Sequence, residues 1–439
     1  MAAALAARKT GARTLLVEAG PFVGGDLVCG LPVDGCLSAR GDWIVGGIAR
    51  EIFNRCAALD GYIGEVFDWR LCWGVCLDPE TVKLAIMEAL AEYGVDLLLN
   101  TVAENIMLKD QLIQSVNVFN KNGHQQLCAA HYVDCTGDAD IAAWAGAPVE
   151  MGGPCGEFQP VSIIFRMANV DFHLLLSFLR EHPEEFLLAE SPVITKSPAE
   201  CALAVFESGL PYTALSARGA LLSRAIAHGD MAPTTAVYMW PTSLQRKEIG
   251  LNVTRVSGIN PMDTSALGQS AGVLARQVVQ SVRFLTQQVP GFAAASLSAV
   301  APRVGMRETR RIRGEEVLTA EDVLNGRKRD DCIAKGAHHI DVHGAGSDQQ
   351  RYPVRDGGSY DIAYKCLVPR DVKNLLVAGR CLSSTREANG SARVMGQCLA
   401  TGHAAGTAAA LCSQNDWNDV RSLPLSTLRQ TLQGQGAIV

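Results

Sequence analysis

The chain has 439 residues, with 39 lysines and arginines against 45 aspartates and glutamates, for a formal net charge of -6 at pH 7. Hydrophobic residues at 48% and charged residues at 19% supply material for buried cores and exclude a disordered chain, while the acidic balance speaks against a nucleic-acid or anionic-membrane surface. At about 150 residues per domain the length predicts two to three domains. Forty-two glycines beside 6% aromatic residues favour tight βα turns over an aromatic-rich sandwich.

In chain order, alanine-rich residues 1–9 predict a helix stopped at Thr10-Gly11, and 14–17 a short buried strand ending at Glu18. A helix follows at 46–59. Asp78-Pro79-Glu80 starts another, with an N-cap carboxylate and a first-turn proline, running to Tyr93. Strands are expected at 95–99, 102–108, 112–119 and 127–134, with Asn122-Gly123 as a hairpin signal. The middle changes texture: a strand at 161–167, helices at 172–180 and 199–207, and a long helix at 265–288. The tail returns to the first texture, with a buried strand at 374–378 and a small-residue helix at 391–411. This pattern predicts an α/β architecture: a discontinuous Rossmann-like nucleotide domain (1–150 and 330–439) with an inserted α+β domain (151–329).

Fourteen cysteines run from Cys29 to Cys412 with no CxxC pair, the usage of reduced thiols. No stretch reaches the roughly 18 apolar residues of a membrane span, and Arg8 and Lys9 follow the apolar stretch instead of preceding it, unlike a signal peptide. The expected location is cytoplasmic.

An alanine-rich helix followed by a strand that ends in an acid is the second half of a βαβ dinucleotide unit. In that unit Glu18 would bind ribose hydroxyls; the alternative is an ordinary strand terminus. The first half, a strand with a G-x-G-x-x-G turn that holds a pyrophosphate, does not occur in the sequence, which is expected to start about a dozen residues after it.

Several runs carry a resemblance. Leu15-Leu16-Val17-Glu18 with Gly24-Gly25 resembles the second strand and following loop of FAD-dependent oxidoreductases. Val133-Asp134-Cys135-Thr136-Gly137-Asp138 resembles their T-G-D turn, and Leu375-Leu376-Val377-Ala378-Gly379-Arg380 the strand that leads to the flavin ribityl. Gly390-Ser391-Ala392-Arg393-Val394-Met395 and the stretch from Gly402 to Gly406 resemble the closing helix, whose N-terminus faces the flavin. Gln159-Pro160-Val161, Leu251-Asn252-Val253-Thr254-Arg255 and the run from Arg307 to Gly314 extend the match over nearly the whole chain. The chain thus resembles the bacterial FAD-dependent oxidoreductases related to fumarate reductase flavoproteins and the glucose-inhibited division protein, N-terminally truncated. The resemblance implies FAD bound by Glu18, Gly24, Gly25, Val102, Thr136, Gly137, Asp138, Gly379, Arg380, Arg393 and Val394, and hydride transfer between flavin N5 and a small, anionic organic substrate. Two alternatives stand beside it, a cofactor-free scaffold of the same fold and an RNA-modifying flavoprotein. The expected partners are a small-molecule substrate and an electron donor or acceptor of unassigned identity, without nucleic acid or membrane; self-association is left open.

On a strand, Arg307, Thr309, Arg311 and Arg313 would share one face, and with Arg310 they form a cationic run that calls for anions. The reading is a substrate carboxylate held by Arg307 and Arg311; the alternative is an ion-pair network with Glu308, Glu315 and Glu316. His339, Asp341 and His343 would also align on a strand, but no further cluster completes a metal shell, so His343 is taken as a catalytic polar group and no metal is expected. Cys72 and Cys76 have the spacing of a redox pair on a helix, with packing as the alternative. The small residues of 402–410 are expected to permit close packing on a sheet.

Overall fold

The structure, a computed structural model, describes residues 1–344 and 349–439. Two parallel strand pairs form its nucleotide-fold layer. Leu15–Val17 pairs with Asp96–Leu98, and Leu375–Val377 pairs with Tyr132–Asp134, in the register Leu375 to Tyr132. Among the described residues the two pairs do not join into one sheet. The α/β expectation holds, and the helices follow their predicted signals closely. Ala2–Lys9, Ile48–Ala58 and Pro79–Glu92 form as read, the last with Asp78 accepting from the Glu80 N–H at 3.0 Å.

Three elements differ from expectation; the strand predicted at 161–167 starts only at Phe165 and runs to Ala168. The strand predicted at 127–134 is split. Its start closes the antiparallel meander Val102–Lys109, Leu112–Asn120 and Gly123–Leu127, and its end is the separate parallel strand Tyr132–Asp134. The helix predicted at 391–411 is also two, Arg386–Ala392 and Met395–Gln414, because Val394 takes an extended backbone (φ -71°, ψ 158°) between them.

Between these parts stands a five-stranded antiparallel sheet ordered Thr213–Ser216, Ala236–Ser243, Glu248–Asn252, Phe165–Ala168, Ser296–Val300. Phe165, Met167, Leu251, Leu274 and Phe284 fill its core with the long helix Thr264–Gln288. Each such side chain contributes about 1.5–3 kcal/mol by leaving water. Ile312 packs with Val116, Ile141 and Val377, and Leu318 and Val323 pack with Ile333 and Leu376. The chain has therefore returned to its first layer by the Arg310–Ile312 strand, earlier than the expected 330.

The small-residue helix packs on a helix rather than a sheet at Gly402 and Gly406. A Cβ on Gly406 would stand 2.0 Å from the Ala3 carbonyl oxygen of Ala2–Lys9, so only glycine permits this approach. The contact ties the start of the chain to its end.

Candidate functional site

The strand Val33–Asp34 lies antiparallel to Trp73–Leu77. Trp240, from the five-stranded sheet, donates its indole N–H to the Gly30 carbonyl at 2.6 Å. This junction borders a half-open cavity of about 130 Å³ lined by Asp34, Arg70, Tyr212, Tyr238, Asp341 and His343.

One wall is the hairpin Ile340–His343 with Gln349–Tyr352. His343 Nε2 donates to Asp341 Oδ2 at 2.9 Å, and Gln349 Nε2 donates to Asp341 Oδ1 at 2.5 Å. Burial pushes the His343 imidazole down to about 4 against the pull of Asp341, with Arg307 adding to the depression. The ring is thus neutral at pH 7, with its proton on Nε2 and a lone pair on Nδ1. Arg351 donates to Tyr238 and Gln349 and pairs with Glu190 at 3.2 Å; Glu190 also holds Arg70 at 2.5 Å.

Arg307 lies near this wall. Its guanidinium donates to the Pro160 carbonyl at 2.6 Å, and among the described residues no carboxylate stands within ion-pair distance of it. Burial, then the like charges of Arg393 and Arg255, push it down to about 10, with Asp341 opposing. Arg393 donates to the Asp341 carbonyl at 3.1 Å, while its Nε has no partner among the described residues. Two half-buried arginines thus stand close together, and only Arg393 reaches a carboxylate, Asp341 at 3.9 Å, an arrangement that calls for an anion.

Arg393 ends one helix, and Val394 caps the 20-residue helix Met395–Gln414 with extended backbone, leaving that helix's first N–H groups and positive dipole end available to an electron-rich group. Backbone meets backbone here: a Cβ on Gly396 would stand 2.6 Å from the Gly35 carbonyl carbon. Gln397 donates to the Gly35 carbonyl at 2.9 Å, leaving its Oε1 without a donor; Gln159 Nε2 is likewise unpartnered, while its Oε1 accepts the His343 backbone N–H at 3.1 Å. Gln159 entered the sequence reading only as part of a matching run and Gln397 not at all, since nothing local marks a single glutamine.

The T-G-D turn is bound internally. Thr136 donates to Asp134 through its backbone and hydroxyl, and Asp138 Oδ1 accepts from Thr309 and from Arg380 at 2.6 Å. Gly137 (φ 78°) faces that guanidinium, and Gly379 (φ 87°) precedes it, so Thr136, Gly137, Asp138, Gly379 and Arg380 come together as one corner. Glu18 ends its strand with Oε1 accepting the Gly20 N–H at 2.8 Å. Gly24 (φ 136°) and Gly25 (φ 58°) turn the chain beyond it, and Val102 opens the meander with its side chain exposed.

The arginine run does not share one face. Only Arg310–Ile312 is strand, paired with Val149–Met151, and the side chains disperse. Arg310 goes to Asp140, Arg313 to Glu150, and Arg311, 4% exposed, to Glu308 at 3.2 Å and the Gly152 carbonyl. Arg311 is thus held by Glu308 and a backbone carbonyl, which matches the ion-pair alternative weighed for this run. The aligned trio is corrected: His343 and Asp341 bond each other, while His339 stacks on His338 at 4.0 Å. Cys72 and Cys76 are free, and Cys76 lies fully buried in the strand Trp73–Leu77 instead of on a helix.

No helix among the described residues is long and apolar enough to cross a membrane. Comparison with solved structures finds folds similar to this chain at low identity. A geranylgeranyl bacteriochlorophyll reductase-like protein from Thermoplasma acidophilum is 11% identical, with a TM-score of 0.45 over 99% of this chain and 80% of the other. A triple mutant of the flavin-dependent brominase Bmp2 is 11% identical, with a TM-score of 0.44 over 99% and 82%. The p-nitrophenol 4-monooxygenase PnpA from Pseudomonas putida is 10% identical, with a TM-score of 0.45 over 98% and 80%. No curated protein sequence matches the chain. A family model described as FAD dependent oxidoreductase matches residues 1–432, so the chain belongs to the FAD-dependent oxidoreductases.

Proposed function

We propose that this flavoenzyme transfers a hydride between flavin N5 and a small organic anion held by Arg307. The observation that carries the reading is the Arg307 guanidinium, half-buried beside Arg393 with only a carbonyl as its hydrogen-bond acceptor. A bound carboxylate would supply the missing counter-charge through two parallel N–H donors.

The chain's own groups fit FAD at its ends. Glu18, beside Gly24, Gly25 and Val102, suits the adenosine ribose, and the corner of Thr136, Gly137, Asp138, Gly379 and Arg380 suits the polar middle. The helix start at Val394 and the unpartnered Arg393 Nε, Gln397 Oε1 and Gln159 Nε2 suit the alternating donor and acceptor edge of a flavin ring. The sequence contains no G-x-G-x-x-G turn for the pyrophosphate. When bound, FAD supplies the two-electron chemistry. Arg307 orients the substrate, His343 Nδ1 takes up or returns the substrate proton, and Asp341 holds the ring tautomer and stabilises the imidazolium.

The site would lie between a nucleotide domain built from residues 1–150 and about 310–439 and a substrate domain built around the five-stranded sheet. Fourteen free cysteines fit a reducing compartment such as the cytoplasm.

The test is reconstitution with FAD followed by titration with small mono- and dicarboxylates, read by perturbation of the flavin absorbance. Failure to bind FAD removes the holoenzyme reading for this chain. A flavin spectrum that no carboxylate perturbs removes the anionic-substrate reading.

A further inference from the structure

We propose that Asp34, Cys72 and His338 bind a divalent transition-metal ion of the zinc class, with the half-open cavity leaving its fourth position to water or a substrate oxygen. One oxygen of Asp34, the sulfur of Cys72 and a ring nitrogen of His338 all lie within 4.8 Å of one another. A tetrahedral ion with bonds of about 2.0–2.3 Å separates its ligands by about 3.3–3.8 Å, so binding draws the three inward by about an ångström. No metal was expected from the sequence, and the trio weighed there, His339, Asp341 and His343, is not this one.

The fold brings these groups together with little backbone between them. Antiparallel pairing sets Asp34 opposite Gly74, two residues beyond Cys72. A Cβ on Gly74 would meet the Tyr212 ring at 2.8 Å and Asp34 Oδ1 at 3.0 Å, so glycine there lets both converge on the site. His338 arrives from the turn before Ile340–His343.

Each ligand has an outer partner that orients it. His338 Nδ1 donates to the His339 carbonyl at 2.7 Å, which leaves the lone pair on Nε2. The Tyr212 hydroxyl donates to Asp34 Oδ1 at 2.8 Å and also lies 4.0 Å from Cys72 Sγ. Such partners fix tautomer and aim in metal sites. The electrostatics agree. Among the described residues no lysine or arginine pairs with Asp34.

A mixed oxygen, sulfur and nitrogen set excludes magnesium and calcium, which take oxygen ligands, and suits zinc or cobalt(II). On binding, the Cys72 S–H bond breaks, a metal–thiolate bond forms, and the proton is released to solvent. Carboxylate and thiolate together neutralise the dication. No electrons move. The ion would stand in the wall that also carries Tyr238 and His343, placed to polarise a substrate oxygen.

The test uses the full chain, stripped with EDTA and titrated with Co²⁺ alone, and is independent of flavin. The expected result is a near-ultraviolet thiolate-to-cobalt band that saturates at one equivalent and is displaced by Zn²⁺. Cys72→Ser is expected to abolish the band, and Asp34→Asn to weaken Co²⁺ binding at least tenfold. No band in the wild type, or an equal band in Cys72→Ser, overturns the proposal. Should Cys72→Ser fail to fold, alkylation of the wild type mapped by mass spectrometry decides: Zn²⁺ protection of Cys72 supports the site, and unchanged labelling overturns it.

Discussion

His343 Nε2 and Asp341 Oδ2, two residues apart on one strand, are joined by a hydrogen bond of 2.9 Å that fixes the imidazole proton on the side away from Nδ1. The carboxylate is held well below its usual range: burial opposes this, but the hydrogen bond from His343 and the nearby Arg393 guanidinium outweigh it. Asp341→Asn keeps the shape and removes the charge that would stabilise a protonated ring. In the FAD-reconstituted enzyme it should lower kcat by about 10²–10³-fold, within the range of general acid–base catalysis, with flavin content unchanged. Equal kcat in the variant would remove His343 from proton transfer.

Arg307 carries a charge that the protein itself does not neutralise, so function and stability should respond in opposite directions. Arg307→Met should weaken carboxylate binding by about 10–100-fold, the loss of a charge-assisted hydrogen bond of about 1.5–3 kcal/mol. It should leave the unliganded fold no less stable, with a gain of up to about 1 kcal/mol in denaturant unfolding as repulsion from Arg393 disappears. A marked loss of stability would instead make Arg307 a structural ion.

Two helical glycines separate close approach from mere tolerance. Gly406→Ala drives a methyl to within 2.0 Å of the Ala3 carbonyl oxygen and should destabilise by at least about 1–3 kcal/mol. Gly268, inside Thr264–Gln288, has open space around it: a methyl added there meets nothing within 4 Å. Gly268→Ala should therefore stabilise by about 1 kcal/mol through helix propensity. Thermal melts of the two variants should shift in opposite directions.

His403 sets a pH dependence. Its Nε2 donates to Gln435 Oε1 at 2.8 Å, and burial holds the ring below its ordinary value, with Lys9 adding to the effect and Gln435 and Glu51 opposing it. The unfolded chain takes up a proton near pH 6.5, about the free value, while the folded ring does not. This contribution to stability is therefore complete above about pH 6.5 and declines as pH falls through the interval down to the folded value, by up to about 1.4 kcal/mol per pH unit. His131, His338, His339 and His343 are depressed in the same direction, so His403→Asn should flatten the acid limb in part. An unchanged slope would mean that His403 titrates alike in both states.

Local signals placed most helices. Asp78 and Pro79 fix one start, with chemistry that lies within three residues. The flavoprotein family was legible as well, because its fingerprints are short contiguous runs at strand ends. The candidate site was legible where a residue belonged to such a run, as Arg307 did, or to a cluster of titratable residues, as His343 did. His343 and Arg307 were named, and so was Arg311, whose ion pair with Glu308 cannot be told from a substrate contact by spacing alone. Asp34 and Gln397 carry no signal of their own.

The sequence by itself determined where the well-capped and alanine-rich helices start, and that a dinucleotide fold is built from them, because capping, propensity and apolar patterning act over a few residues. Most strands of the five-stranded sheet carried no such signal. Only tertiary structure decided the chemistry of the interior. Arg307 lacks a carboxylate, while Arg311 has Glu308. Asp34, Cys72 and His338 meet although they lie far apart in the chain. These outcomes depend on which strands pair and which backbones can touch, at Gly74 against Asp34 and Gly396 against Gly35, and on the desolvation that follows when distant segments close over a charge.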